Sequence, residues 1–194
     1  MYNVNRVNSE LKRVIRDFLF NYKKICRESR EDYLDKFGGD TQVYIPKDTE
    51  ICTKEARESF TQYCSDCRRR VSDILAPVYK DLEAIATEPP TTEAVNAITL
   101  FQMRDDIDAG AIDMMIKRYG DNATALNAIV SIAKQHGMHN YLPHLSTEQI
   151  QSLKSLEGSF ARLFNPHAIF SNGMEDWQAS AMEQTVDKVV QTED

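Results

Sequence analysis

Apolar residues recur from the first turn of the chain at Val4, Val7, Leu11, Val14, Phe18, Tyr22 and Ile25, with Ile15, Leu19 and Cys26 widening the stripe. Steps of three and four trace one face of a helix, and their alternation comes close to the heptad of a coiled coil. The spacing predicts a first helix from about residue 5 to Lys36, ended by Gly38-Gly39, where a left-handed turn costs little. Such a helix is about 45 Å long and must lie against something of similar length. The connector "GGDTQVYIPKDTE" holds one extended candidate, residues 41–45, closed by Pro46.

A second long pattern runs from about Thr49 to Thr87, with a seam at Phe60, Cys64, Cys67, Val71, Ile74, Val78, Leu82 and Ile85. Pro77 falls inside it, where a missing backbone donor favours a kink. The simplest packing of the two helices is an antiparallel hairpin. In that hairpin each seam has a companion on one side only, which leaves the other side for a further copy or a partner helix.

"TEPPTTEA" breaks the pattern at Pro89-Pro90. Three shorter helices are expected beyond it: one from about Glu93 to Arg104 capped by Thr91 or Thr92, one capped by Asp108 with Ile107 and Ile112 as a staple and ended by Gly120, and one capped by Asn122 that stops at Gly137. The third carries Leu126, Ile129, Val130 and Ile132. "LSTEQIQSLKSL" opens a further helix through a Ser146/Gln149 capping box, with Leu145 stapled onto Ile150, and this helix ends at Asn165-Pro166. The last segment, 174–190, has helical spacing around Trp177 and Ala181 and a polar, acidic finish, as expected of a loosely held helix or tail. The fold class is therefore all-α. Residues 1–88 form a long antiparallel helical hairpin, and 89–194 hold a compact three-helix bundle, C-terminal helices and a loosely ordered tail.

Composition narrows the function. Only 7 of 194 residues are Gly, mostly isolated, so a glycine-rich phosphate loop is disfavoured. No leader pattern and no apolar run of spanning length occur, so a soluble, cytoplasmic chain without membrane association is expected. The net charge of −7 is uneven: residues 1–30 hold eight basic side chains against three acidic ones, leaving the rest strongly acidic. A split of this kind can bring copies together head to tail or aim one end at an anionic partner.

Arg6, Arg13, Arg16, Lys23, Arg27 and Arg30 fall opposite the apolar stripe of the first helix and make a basic face that can follow a phosphate backbone, dock onto the acidic part of another copy, or simply be solvated. No nucleic-acid-reading motif accompanies it. The one stretch with the look of chemistry is "YCSDCRRRV", but Cys64 and Cys67 occupy consecutive seam positions. Zinc knuckles set such a pair in a tight turn with two more ligands, and redox pairs sit at a helix N-terminus. Small buried hydrophobes are the expected role. Arg68, Arg69 and Arg70 fan around the helix and share no face.

"RDDIDAGAID" departs from a calcium loop, with Ala111 at the glycine position and Lys117 at the glutamate position. Its carboxylates suit a helix start. His136, His139, His144 and His167 match no catalytic spacing, and Phe101, Met103, Met114 and Met115 are core candidates. No catalytic residue and no cofactor is expected.

"IDMMIKRYGDNATALNAIVSIAKQHG", with its Tyr119-Gly120-Asp121-Asn122 turn and Ala/Ile periodicity, resembles a helix-turn-helix segment of small helical proteins of tailed phages and prophages in Gram-positive bacteria. The resemblance implies a role in particle structure or host interaction. A non-enzymatic helical structural or interaction protein, acting as a homo-oligomer or with a helical partner, is the leading expectation. A nucleic-acid accessory protein using the basic face, and a metal-binding protein using Cys64 and Cys67, are the alternatives.

Overall fold

The computed structural model describes residues 3–38, 45–138 and 146–190. They form the helices α1 (Val4–Phe37), α2 (Lys54–Thr87), α3 (Thr92–Gln102), α4 (Ala109–Tyr119), α5 (Ala123–Gln135), α6 (Ser146–Leu163), α7 (Pro166–Asn172) and α8 (Asp176–Val189). The fold is all-α. Among the expected features, Gly39, most of the 41–45 strand candidate, His139, His144, the Leu145 staple and the side chain of Ser146 lie outside the described residues.

Contact between helices divides the chain into two compact units, one of Met1–Pro77 with Leu153–Asp194, the other of Val78–Ser152. This differs from the expected division at residue 88. Pro89-Pro90 ends a helix, but the C-terminal helices return to the hairpin and make the first unit discontinuous.

In that unit α1 and α2 run antiparallel, as their cross-links fix. Cys52 N donates to Ser29 Oγ at 3.3 Å, Asn21 Nδ2 to Tyr63 OH at 2.9 Å, and Arg70 Nη2 to Asp17 Oδ2 at 3.1 Å. Helix α6 lies antiparallel to α2, with Arg68 bonded to the Phe164 carbonyl and Ser72 to Glu157. Helix α8 lies antiparallel to α1, with Asn8 and Lys12 meeting Asp187, Arg16 meeting Glu183 and Lys23 meeting Asp176. The hairpin is thus completed into a four-helix bundle by α6 and α8, joined through α7. The seam that the sequence left half-covered is covered by the chain's own C-terminal helices.

The bundle core is aromatic. Phe18 is fully buried against Phe60, Tyr63 and Phe164, with ring centroids 5.7, 5.9 and 4.5 Å away. The Tyr22 hydroxyl donates to the Thr49 carbonyl at 2.5 Å and accepts from Met174 N at 3.1 Å, tying the connector and the α7–α8 turn to α1. Close by, Gly173 has φ +72, and a Cβ there would sit 3.3 Å from Thr49; the turn calls for glycine both for its backbone and for its space.

Some helix ends moved. Gly38 closes α1 in the right-handed region, φ −68, since its N–H still reaches the Leu34 carbonyl. Helix α2 begins at Lys54 rather than near Thr49, where Thr53 Oγ1 accepts from Ala56 N. Asn165 and Pro166 end one helix and also start another: Asn165 caps α7, with proline in its first turn, where the missing donor costs nothing. Helix α8 is held along α1 rather than loosely attached. It buries Ala179, Met182 and Val186, while Trp177 and Ala181 face outward, opposite to the expected seam.

The second unit is built on α3, α4 and α5. Thr91, Asp108 and Asn122 cap the three helices, each side chain accepting from the backbone N–H three residues on. Ile98, Phe101, Ile112, Ala125, Ile129, Ile132 and Ala133 form the core, with Ile107, Met115 and Ile116 packed against it. Leu126, expected in this core, is half-buried. Asn122 and Thr124 reach back to carbonyls of residues 86–89 and fasten the start of α5 to the end of α2.

Candidate interaction surfaces

Cys64 and Cys67 lie at 0% exposure in α2, and all four cysteines are free thiols. Burial pushes the Cys64 thiol up to about 12, with the neighbouring Cys67 adding to the effect, and burial raises Cys67 as well. Cys26 is pushed up to about 11 by burial. Protonated thiols are poor nucleophiles and poor metal ligands. Among the described residues no group of three or more His, Cys, Asp and Glu is placed to hold a metal ion.

The basic face of α1 is partly neutralised by the chain itself. Arg16 makes a two-pronged bond to Glu183, at 2.8 and 3.1 Å, Lys23 reaches Asp176 at 2.5 Å, and Arg30 pairs with Asp48. Arg6 pairs with Glu10 one turn on, and its guanidinium is held above its ordinary pKa by that bond. Asp187, between Lys12 and Asn8, is held below the usual carboxylate range. Two contacts on this face are loose, Arg13 to Asp17 at 3.9 Å and Lys24 to Glu28 at 3.8 Å. Arg27 is exposed. Among these cations, on the outward side of α1, stands Phe20 at 69% exposure, and the neighbouring α8 carries Trp177 at 65%. The Arg16–Glu183 and Lys23–Asp176 pairs set the register that brings these two aromatics to the same level.

The second unit has the complementary character. Ten carboxylates against five basic side chains give residues 78–152 a net charge of −5. Arg118 Nη2 and Tyr119 OH both donate to Glu93 Oε1, which sets α4 antiparallel to α3. On the outward side of this pair Leu100, Met103 and Met114 are 68%, 75% and 69% exposed, and Val95 is 46% exposed. Met103 and Met114 are thus surface residues rather than the expected core, while Phe101 is buried and Met115 half-buried as the spacing suggests. Asp105, Asp106 and Asp113 are exposed beside them. Asp108 serves as the cap of α4, consistent with reading this acidic stretch as helix-start chemistry.

His136 and His167 are exposed, at a helix end and on α7. Among the described residues no helix is long and apolar enough to cross a membrane. Compared with known proteins, the chain matches no family model, no curated protein and no solved structure.

The exposed aromatics and methionines escaped the sequence reading. A signal was available for Phe20, which sits off the Val14, Phe18, Tyr22 stripe. None was available for Met103 and Met114: Met103 follows the last residue of α3, and Met114 and Met115 are adjacent, so spacing alone does not say which of the two turns to the core.

Proposed function

We propose that the chain is a non-enzymatic helical protein that works through protein–protein contacts, in a structural or assembly role. The observation that carries this reading is the exposure of Leu100, Met103 and Met114 within the α3–α4 segment, where Asp105, Asp106 and Asp113 are exposed too. Single exposed apolar residues are ordinary. Several on one short helical pair, rimmed by charge, are the character of a contact surface, and methionine adapts to varied partners. The resemblance of 112–137 to phage proteins agrees with a place in particle structure or assembly.

A nucleic-acid role has weaker support, because Arg16, Lys23 and Arg30 already meet carboxylates of the same chain. A metal role through Cys64 and Cys67 has weaker support still, given their protonated, sealed setting.

The test is a photo-activated cross-linking residue placed in turn at Met103 and at Met114, together with light scattering across a wide concentration range. A defined adduct, with a second copy or another protein, is the expected result. A strict monomer with no adduct from either position would remove the reading.

A further inference from the structure

We infer that the α3/α4 face of one copy docks on the outer face of α1 and α8 of a second copy, in a head-to-tail contact. The inference rests on the contact-protein reading above and names the partner as the chain itself.

The two faces are complementary in both charge and apolar chemistry. On one, Phe20 and Trp177 project from adjacent helices at the same level, with Arg13, Lys24 and Arg27 exposed on the α1 side. On the other, Leu100, Met103 and Met114 are exposed, and around them in the chain Asp105, Asp106 and Asp113 outnumber the exposed Arg104 and Lys117. Methionine sulfur against an aromatic ring is a favourable contact, and both partners here are already held out of their own cores. The cations are available. Arg13 and Lys24 have only loose partners one turn away, and surface pairs of that kind are weak enough to be exchanged for a neighbour's carboxylates. A second copy supplies this basic face, with aromatics at its centre.

Because the two faces differ, the contact is heterologous. A single such contact leaves each copy with one unused face, so association is completed either reciprocally between two copies, in a larger closed ring, or in an open filament.

Charge reversal tests this on the full chain. One variant carries Asp105→Lys, Asp106→Lys and Asp113→Lys; the other carries Arg13→Glu, Lys24→Glu and Arg27→Glu. Sedimentation of the parent at low salt is expected to show mass rising with concentration, and high salt to lower it. Each variant alone then presents two like-charged faces, and its self-association is expected to weaken by tenfold or more, an order-of-magnitude expectation for opposed charges at a contact. An equimolar mixture of the two is expected to recover association, since every copy then offers the other an attractive pair of faces.

A mixture that fails to recover, or variants that associate like the parent, would overturn the inference. A parent that stays monomeric at low salt would also overturn it. If at the same time the Met103 or Met114 cross-linker captures a different protein, the contact-protein reading survives and only the identity of the partner is lost. Should either triple variant lose helical content, Phe20→Ser and Met103→Ser make the comparison instead, each expected to weaken association without changing the helical signal.

Discussion

The two units solve the same packing problem with different materials. In the larger one, helices of 34 residues bring Phe18, Tyr22, Phe60, Phe160 and Phe164 to complete burial, and the flanking α6 and α8 seal both sides of the hairpin. In the smaller one, α3 and α4 have 11 residues each and close a core of isoleucine, alanine and one phenylalanine, while comparably large side chains stay outside. A small unit has a high ratio of surface to volume and cannot enclose every apolar residue on helices that are apolar on more than one side. The length of the hairpin goes into a scaffold closed by the chain's own helices. Among the described residues, the large apolar side chains left exposed are Val95, Leu100, Met103 and Met114 in the smaller unit and Phe20, Phe37, Ile45 and Trp177 in the larger one.

The largest effect is expected where the scaffold is densest. Phe18→Ala removes a ring in contact with three others and should lower stability by about 3–5 kcal/mol, read by denaturant unfolding. A loss smaller than that of an ordinary surface substitution would mean that the aromatic cluster does not hold the bundle.

Next comes the Tyr22 hydroxyl. Tyr22→Phe leaves the buried Met174 N–H without its acceptor and should cost about 1–3 kcal/mol. Gly173→Ala, which forces φ +72 and ψ −174 on a residue with a Cβ, should cost about 1–3 kcal/mol, through the same turn. If the two losses differ widely in sign or size, Tyr22 and Gly173 do not act at one junction.

In the smaller unit, Asp108→Ala removes the acceptor 2.7 Å from Ala111 N and should cost about 0.5–2 kcal/mol, seen first as faster amide exchange at the start of α4. By contrast, Leu100→Ser and Met114→Ser should leave stability within about 0.5 kcal/mol. Both side chains are exposed, so a large loss at either would place it in a core and dissolve the contrast between the units.

The thiols separate the units by pH. Cys26, Cys64 and Cys67 belong to the larger unit, and burial raises all three above their ordinary value. A raised acid favours the protonated form in the folded state. Its stabilising contribution is whole below the unfolded pKa, near 9, and is lost as pH climbs through the folded values of about 11 and about 12. Neutral conditions should therefore show no effect of the thiols on pH dependence. Above pH about 9 the larger unit should weaken, and replacing Cys64 and Cys67 by alanine should flatten that decline. An unchanged slope in the double variant would assign the alkaline loss to other groups.

Much of the architecture was legible before the fold. The alternation of threes and fours from Val4 to Cys26 marked α1 within a residue at either end, and the caps at Thr91, Asp108 and Asn122 marked three helix starts, because both signals are local. The helix seam around Cys64 and Cys67 was local too, and their burial followed from it. The start of α2 was placed several residues early, since Thr49 and Thr53 are both acceptable caps and the choice depends on Tyr22 claiming the Thr49 carbonyl.

The sequence by itself determined the kind of structure: long amphipathic helices, a break at Pro89-Pro90, three short capped helices after it, and a basic start followed by an acidic remainder. Periodicity and capping are carried by neighbours in the chain, so no tertiary context is needed to read them. Only the tertiary structure decided that α8 and α6 close over the hairpin, that Glu183 and Asp176 answer Arg16 and Lys23, and that Met103, Met114, Phe20 and Trp177 are left outside. An apolar stripe states that it must be covered; which distant segment covers it depends on register and length across more than a hundred residues of intervening chain, and no local pattern encodes that choice.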